Sequence, residues 1–272
     1  MILPTPGASF RWRQTRAGAA LVCEPLERFA THLFTSRTWK LGSRRADLTD
    51  HDSWAELAVE MAGPLGVTRV RQVHGRGVVV AKPGSEATPE GDILIASDAR
   101  LAIAVQAADC VPLLFVDPVK RVVAAAHAGW RGMAAGVPQT TLAALEREFG
   151  CRPEDLRVAA GPSIGACCYE VGSEVRNAFM ASGWTDDSIR ACFHDRPTPT
   201  PVNPSIRLRS PSSGCWFFDG WECTRRQLEA AGVLADRIHS AGLCTASHPE
   251  AFPSYRRDGD CAGRIAGAIR LA

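Results

Sequence analysis

A cysteine and two histidines in the first half of the chain have the side chains of a metal site. Cys110 lies just before one apolar run, His127 lies at the end of the next, and His74 lies upstream between two β-rich stretches. Three protein ligands of this kind, with a fourth position left for water, are typical of catalytic zinc sites. The residues alone leave a structural interpretation open, because single histidines and cysteines are more often packed or hydrogen-bonded than bound to metal.

The two apolar runs predict a β-hairpin. Residues 111–116 and 122–126 are rich in the apolar types found in buried strands, and the turn between them spans residues 117–121. Such a turn makes the two strands antiparallel, so Cys110 and His127 come to the same end of the hairpin. We therefore expect both side chains to reach one ion.

Arginines near these segments are candidate ligands for an oxyanion. Residues 129–132, Gly-Trp-Arg-Gly, are expected to turn the chain into an amphipathic helix that begins after Gly132. The N–H groups at a helix start attract anions, which makes the neighbouring Arg131 a candidate phosphate ligand. Arg256 and Arg257 are adjacent and precede a turn, and paired guanidinium groups are also suited to oxyanions.

Two other chemistries fit parts of the same sequence. Residues 161–165, Gly-Pro-Ser-Ile-Gly, match the nucleophile-elbow pattern of serine hydrolases, although Pro162 disfavours the strained turn that such an elbow needs. Cys110 near a histidine is also the minimal pair for thiol catalysis, so a hydrolase with Cys110 or Ser163 as nucleophile is one alternative. A copper-linked polyphenol oxidase is the other, because His, Cys and His is also the equatorial ligand set of blue-copper sites. The seven histidines include no His-x-His pair, which disfavours a multicopper cluster.

Composition and charge exclude several function classes. The 31 basic and 29 acidic residues of the 272-residue chain leave a net charge of +2, so charge does not indicate a nucleic-acid partner. We see no leader-like segment and no apolar run of membrane-spanning length, and we expect a cytoplasmic protein without a membrane partner. The ten cysteines include no Cys-x-x-Cys pair, so we expect reduced thiols and interpret Cys167 and Cys168 as packing residues. The oligomeric state is left open.

Short strands outnumber long helices in the predicted secondary structure. No regular alternation of strand and helix demands a doubly wound parallel sheet, so the sequence predicts an α+β protein. We expect residues 1–272 to form one domain of mixed β-sheets packed together and flanked by helices. Residues 54–61 predict an amphipathic helix capped by Asp50 or Asp52. The proline-rich residues 197–204 predict an extended surface insertion able to cover the site.

Five short motifs occur together in an order that resembles one known family. They are QVHG at residues 72–75, ADCVPLL at residues 108–114, HAGWRG at residues 127–132, GPSIGACCYEVG at residues 161–172 and SYRRDG at residues 254–259. Their wording and order resemble the YfiH-like laccase-domain family, once called polyphenol oxidases. The resemblance covers about residues 71–264.

This resemblance implies a zinc-dependent purine nucleoside phosphorylase that also deaminates adenosine. Adenosine, inosine, guanosine and methylthioadenosine would be its nucleoside substrates, and phosphate its second substrate. It implies that His74, Cys110 and His127 bind Zn²⁺. We expect Asp109 to support these ligands without binding the metal itself. The arginines that we expect at the site are Arg37, Arg131, Arg256 and Arg257. The implied fold is a pair of mixed sheets with helices outside, and the metal site lies where strand ends and loops meet.

One segment near the start departs from the family pattern. Where the family has an arginine followed by Gly-Gly-Val-Ser and then Ser-Leu-Asn-Leu-Gly, residues 34–45 read FTSRTWKLGSRR. Arg37 matches the family arginine, but the paired glycines and the asparagine have no counterpart here. Because this segment is expected to lie over the substrate, residues 36–45 are where a change of substrate would arise.

Overall fold

The described part of the chain consists of three β-sheets with helices around them. The computed structural model describes residues 3–42, 49–84, 88–206 and 214–272. The strands in these ranges are β1 (Phe10–Gln14), β2 (Ala19–Cys23), β3 (Ala30–Thr35), β4 (Val67–Thr68), β5 (Val78–Val80), β6 (Ile93–Ala96), β7 (Ala102–Ala107), β8 (Val111–Asp117), β9 (Val122–Ala128), β10 (Arg157–Ala160), β11 (Glu170–Val171), β12 (Phe193–His194), β13 (Trp216–Phe218), β14 (Ile238–Ser240) and β15 (Ile265–Leu271). The α-helices there are α1 (Glu24–Glu27), α2 (Thr49–Glu60), α3 (Trp130–Ala134), α4 (Val137–Phe149), α5 (Ser173–Ala181), α6 (Asp186–Cys192), α7 (Gly220–Ala230) and α8 (Tyr255–Asp258). Short 3₁₀ turns lie at Arg37–Trp39, Pro153–Asp155, Ala235–Arg237 and Gly259–Cys261.

Two sheets, each of six strands within the described residues, form the centre of the fold. The first has the strand order β1-β2-β3-β15-β7-β4 and the second the order β14-β10-β8-β9-β6-β5, while β11-β13-β12 form a small third sheet. Most neighbouring strands are antiparallel, but β4 with β7, β5 with β6 and β10 with β14 are parallel. These mixed sheets and the helices around them confirm the predicted α+β fold class.

The two large sheets pack face to face through side chains that alternate along each strand. In β8, Leu114 and Val116 belong to the apolar cluster shared with the first sheet, whereas Leu113 and Phe115 belong to the cluster under the helices. Every residue of β8 and β9 is buried. Strands that are buried on both faces are apolar throughout, which is why this region predicts buried strands from its sequence alone.

The predicted hairpin is confirmed by the pairing of β8 with β9. Pro112 lies opposite His127 at one end of the hairpin, and Asp117 lies at the other. The Asp117 Oδ1 closes the turn by accepting two hydrogen bonds of 2.8 Å each from backbone N–H groups of the turn. Cys110 and His127 therefore lie at the same open end of the hairpin, as expected.

Helix α2 covers the outer face of the first sheet. The apolar positions of residues 54–61 pack against that sheet, which confirms the predicted amphipathic helix. The predicted cap at Asp50 or Asp52 is wrong, because the helix already begins at Thr49. The helix therefore extends further toward the amino terminus than the apolar positions that predict it.

The helix expected after Gly132 differs in both its start and its continuity. The chain turns helical already at Trp130, and the short α3 is followed by a separate α4 from Val137. The break lies at Gly136, whose φ of 81° is in the left-handed region that glycine favours. Arg131 is therefore part of α3 and does not stand beside the start of a long helix. Because α3 is so short, its start gives no independent reason to expect an anion there.

Three further expectations concern segments and thiols away from the hairpin. Most of the proline-rich residues 197–204 are exposed, and the N–H of Thr198 donates to the carbonyl of Ala166 at 3.2 Å. Of the segment that departs from the family, Arg37–Trp39 forms a 3₁₀ turn and residues 43–45 lie outside the described residues. All ten cysteines carry free thiols.

Within the described ranges, the helices are too short or too polar to cross a membrane.

The packing of β8 between sheet and helices gives a test of the fold. We expect Leu114→Ala to lower the free energy of unfolding by about 2–5 kcal/mol, because the side chain is fully buried between the sheets and its loss leaves a cavity. Val119→Ala, in the exposed turn of the same hairpin, should change it by no more than about 0.5 kcal/mol. Urea unfolding followed by circular dichroism measures both, and equal losses would contradict this packing.

Candidate metal centre

The three ligand-type side chains predicted from the sequence converge at the open end of the hairpin. Cys110 directly precedes β8, His127 is the penultimate residue of β9, and His74 comes from the loop before β5. Their ligand atoms all lie within 4.8 Å of one another. The two imidazole rings meet edge to face, with 4.9 Å between their centroids. The structure thus brings together all three residues of the predicted ligand set.

A buried carboxylate that the sequence did not single out holds two of these ligands in place. Asp92 accepts hydrogen bonds from the backbone N–H groups of Val73, His74 and Gly75 at 3.3, 3.0 and 2.7 Å. Its Oδ1 also accepts one from Nδ1 of His127 at 2.8 Å. Since Nδ1 carries the proton in that bond, Nε2 is the His127 nitrogen that can serve as a metal ligand. The signal in the sequence that could have indicated this role is the position of an acidic residue immediately before the buried strand β6.

Hydrogen bonding keeps Asp92 ionised although its side chain is fully buried. Burial alone would raise its pKa, but the hydrogen bonds from the His127 ring and from the backbone of Gly75 and Val73 outweigh burial and lower the pKa. A buried carboxylate with several donors is stable as the anion. It therefore holds the loop and the imidazole without needing a proton of its own.

Backbone geometry around the ligands is strained. His74 and Asp109 have φ values of 60° and 86°, a region that side chains with a Cβ adopt rarely. Gly129 lies so close to the centre that a Cβ there would be 2.9 Å from the Cys110 Sγ. Such strain is common where a site dictates the backbone, and here one strained residue is a ligand candidate while the other directly precedes Cys110.

Electrostatics favour a thiolate at Cys110. Burial raises the pKa of this thiol, but the charge of His127 and hydrogen bonds from His127 and His74 outweigh burial and lower the pKa to about 6. For His127, burial lowers the pKa, whereas the Cys110 thiolate and Asp92 raise it to about 9. At neutral pH the pair is therefore a thiolate beside an imidazolium, and a metal cation would replace the shared proton.

The donor set fits a zinc ion. Zn²⁺ binds imidazole nitrogen and thiolate sulfur at about 2.0–2.3 Å, and ligand atoms within 4.8 Å of one another can share such an ion. His74 is exposed and Cys110 is partly exposed, so the centre can be reached from solvent. Three protein donors and an accessible side are the requirements of a catalytic rather than a structural zinc site.

A cavity of about 890 Å³ opens in front of these ligands. Its wall includes all three of them together with Arg131 and Arg256. The Arg131 guanidinium lies 4.1 Å from the ring centroid of Trp130, and that of Arg256 lies 5.0 Å from the ring centroid of Tyr169. Arg256 also donates from Nη1 to the carbonyl of Glu170 at 2.6 Å. The other N–H groups of the two guanidinium groups are suited to an oxyanion.

Two of the four arginines expected at the site lie elsewhere. Arg37 pairs with the carboxylate of Asp258 at 2.8 Å. Arg257 donates to the same carboxylate and to three backbone carbonyls between residues 245 and 252. Neither arginine lines the cavity. Their contacts instead stabilise residues 245–258, the segment that leads into and forms α8. Three arginines that the sequence analysis did not consider do line it, namely Arg69, Arg71 and Arg264.

Asp109 and Ser163 have other partners than those expected. Asp109 accepts hydrogen bonds of 2.6 Å each from the Thr245 hydroxyl and from the backbone N–H of Arg256, so it positions Arg256 and does not orient the metal ligands. Ser163 is fully buried, and its hydroxyl accepts a 2.6 Å hydrogen bond from the indole of Trp221. A nucleophile needs access to substrate, so the serine-hydrolase alternative is not supported.

The described residues of the proline-rich tract also take no part in the cavity wall. None of residues 197–204 lines the cavity, so the expectation that this insertion covers the site is not supported. The segment that departs from the family contributes nothing to the wall within its described residues 36–42. The cavity is instead bounded by the ends of the hairpin, the loop carrying His74, and α3 and α8.

Comparison with known proteins agrees with this arrangement. Residues 42–272 match the family model described as multi-copper polyphenol oxidoreductase laccase. Purine nucleoside phosphorylase YfiH of Escherichia coli is 32% identical over 263 residues, covering 96% of this chain and 97% of that protein. A purine nucleoside phosphorylase of Bacteroides thetaiotaomicron is 36% identical over 180 residues, and the human protein named purine nucleoside phosphorylase LACC1 is 32% identical over 207 residues. The matched part spans less than two thirds of these two relatives, 60% and 43% of their respective lengths.

Solved structures show the same fold. The hypothetical protein YfiH of Bacillus licheniformis superimposes with a TM-score of 0.83 at 25% identity, covering 97% of this chain and 100% of that one. YlmD of Geobacillus stearothermophilus superimposes with a TM-score of 0.77 at 29% identity, covering 97% of this chain and 98% of that one. The chain therefore belongs to the multi-copper polyphenol oxidoreductase laccase family, the YfiH-like family that its motifs indicate.

Proposed function

We propose that this chain is a zinc-dependent purine nucleoside phosphorylase that also deaminates adenosine. Its proposed nucleoside substrates are adenosine, inosine, guanosine and methylthioadenosine. The names of relatives from Escherichia coli and Bacteroides thetaiotaomicron support the phosphorylase class. The observation that carries the proposal is a single cavity whose wall combines the nitrogen, sulfur and nitrogen donors with the guanidinium groups of Arg131 and Arg256. The packing shared by both large sheets supports treating residues 1–272 as one domain.

In this proposal His74, Cys110 and His127 hold the zinc ion. When bound there, Zn²⁺ supplies Lewis acidity next to the substrate. The Cys110 thiolate would cancel one of its two charges, and Asp92 keeps the proton of His127 on Nδ1, which leaves Nε2 as the nitrogen that would bind the ion. The protein residues thus set the charge and the orientation of the centre.

Phosphorolysis requires a second anion site in the same cavity. In that reaction a phosphate oxygen forms a bond to C1′ of the ribose while the bond from C1′ to the purine breaks, and the purine leaves with a proton. Arg131 and Arg256 supply positive charge for the phosphate, and this charge also stabilises the transition state. Ile164 and Phe218 offer apolar wall to the purine. Deamination exchanges the amino group at C6 for a water oxygen and releases ammonia, so it has no need of the arginines.

A cysteine-dependent hydrolase is a second candidate, favoured by the lowered pKa of the Cys110 thiol beside His127. The metal and nucleophile roles compete for one thiolate. A copper-linked oxidase, the remaining alternative, rests on the His, Cys and His donor set that blue-copper sites share and on the description of the family. Elemental analysis distinguishes the three.

We expect Cys110→Ala to contain one equivalent of zinc less than the unmodified chain, because it removes the charged ligand of the centre. Cys261→Ala, which removes an exposed thiol, is the matched control and should keep the full amount. Elemental analysis of the purified proteins measures both. Equal zinc in all three proteins, or copper in stoichiometric amount, would contradict the assignment.

Alkylation separates the hydrolase candidate from the zinc enzyme. A zinc-bound thiolate should react with iodoacetamide much more slowly before treatment with a chelator than after it. The same alkylation rate of Cys110 in both states would mean that zinc does not mask it, and would favour the hydrolase.

Asp92→Asn tests how the ligands are positioned. An amide cannot accept all four hydrogen bonds of the carboxylate, so we expect zinc affinity to fall about 10–100-fold. Asp98→Asn is the control, since Asp98 is paired with Arg100 at the surface and touches no ligand. Competition with a zinc-binding dye measures the affinities, and circular dichroism shows whether each variant is folded. Unchanged affinity in folded Asp92→Asn would remove the positioning role.

Adenosine incubated with and without phosphate tests the reaction. Free adenine formed only with phosphate supports phosphorolysis, and inosine formed without phosphate supports deamination. We expect Arg256→Ala to slow adenine formation about 100-fold and to leave inosine formation nearly unchanged, because only phosphorolysis needs the anion site. Arg147→Ala, on the exposed face of α4, is the control. Chromatography resolves the products, and the absence of both would reject adenosine as substrate and direct attention to residues 36–45.

A further inference from the structure

A second group of ligand-type side chains lies outside the cavity. The sulfur atoms of Cys167, Cys168 and Cys244 all lie within 4.8 Å of one another, and each thiol is buried. Cys167 and Cys168 come from the segment between β10 and β11, and Cys244 from the segment after β14. Backbone pairing of Ser163 with Cys244 fixes the two segments against each other. None of the three cysteines lines the cavity.

We propose that this cysteine trio is a binding site for a thiophilic d¹⁰ metal ion such as Cu⁺ or Zn²⁺. Three thiolates that bind one ion at about 2.3 Å in a plane are about 4 Å apart, which the observed triangle allows. Thiolate ligands select Cu⁺ and Zn²⁺ over harder cations. Charge balance requires that the ion replace the thiol protons, which pass to solvent.

A disulfide explains the trio less well. Adjacent residues across a trans peptide have Cα atoms about 3.8 Å apart, shorter than the usual disulfide range of about 4.4–6.8 Å. A bond between Cys167 and Cys168 would therefore be strained. A bond from Cys244 to either one would leave the third thiol without a role, whereas a metal ion uses all three.

Neighbouring polar groups are placed to support sulfur ligands. The backbone N–H of Gly165 donates to the Cys244 Sγ at 3.3 Å. The Ser247 Oγ lies 3.5 Å from the Cys167 Sγ and 3.4 Å from the Cys168 Sγ. The Ser247 hydroxyl donates to the Pro204 carbonyl in this structure, and once the thiols have lost their protons it can rotate to donate to sulfur. Hydrogen bonds to ligating sulfur orient it and stabilise its negative charge.

The proline-rich tract, which has no place in the catalytic cavity, lies over this trio. The Pro204 carbonyl accepts hydrogen bonds from the Cys168 thiol at 3.7 Å and from the Ser247 hydroxyl at 2.6 Å. The side chain of Asn203 accepts from the backbone N–H of Cys244 at 2.8 Å. Ser247 is partly exposed, so an ion can reach the sulfurs past its hydroxyl. The tract thereby helps to shield the trio from solvent.

The test uses the full chain carrying Cys110→Ala, which disables the first centre. Cu⁺, held under anaerobic conditions against a chromogenic chelator, and Zn²⁺ are titrated separately. We expect one equivalent of at least one ion to bind with sulfur-to-metal charge-transfer absorption, and Cys244→Ser in this background to abolish both signals. Cys151→Ser removes a buried thiol outside the trio and should leave them unchanged.

Three outcomes would overturn the proposal. They are absence of binding by the Cys110→Ala chain, binding that survives Cys244→Ser, and a disulfide-linked peptide containing Cys244 in protein purified without reductant. If Cys244→Ser does not fold, Ser247→Ala keeps all three thiols and should weaken binding about 10–100-fold. Binding of equal strength in folded Ser247→Ala would then count against the site. Because the test chain lacks Cys110, its result does not depend on whether zinc binds at His74, Cys110 and His127.

Discussion

The end of the molecule that carries the candidate metal centre depends on the buried carboxylate of Asp92. Three backbone N–H groups of the loop at residues 73–75 and the ring of His127 all donate to it. A buried charge is costly unless it is fully hydrogen-bonded, and these four donors offset that cost. The same bonds fix the position of His74 and the tautomer of His127. One side chain therefore orients two ligands that lie on different elements.

The hairpin of β8 and β9 provides the rigid part of the same site. Both strands are buried on both faces, with one sheet on one side and helices on the other. Close packing of this kind leaves little room for movement, so Cys110 and His127 are held to one geometry. His74, on a loop and exposed, is the ligand that depends most on its hydrogen bonds. The centre thus combines two ligands fixed by packing with one fixed by Asp92.

The arginines near the site divide according to their contacts. Arg37 and Arg257 both donate to Asp258, and Arg257 also donates to backbone carbonyls, so they stabilise the segment that leads into and forms α8. Arg131 and Arg256 lie against aromatic rings at the cavity wall. Adjacent residues such as Arg256 and Arg257 can differ in this way because successive side chains point in different directions. The anion site in the proposed mechanism therefore includes one member of the adjacent pair and excludes the other.

The sequence by itself determined the hairpin, the ligand types at its open end and the family, because short-range periodicity and contiguous motifs report local structure directly. The sequence predicts one helix after Gly132 where the structure has two, because the left-handed backbone at Gly136 that divides α3 from α4 has no periodic signal. Only the tertiary structure decided that Asp92 would meet His127, and that Cys244 would meet Cys167 and Cys168. Those contacts join segments far apart in the chain, and they depend on strand order and sheet packing, which residue patterns along one segment do not encode.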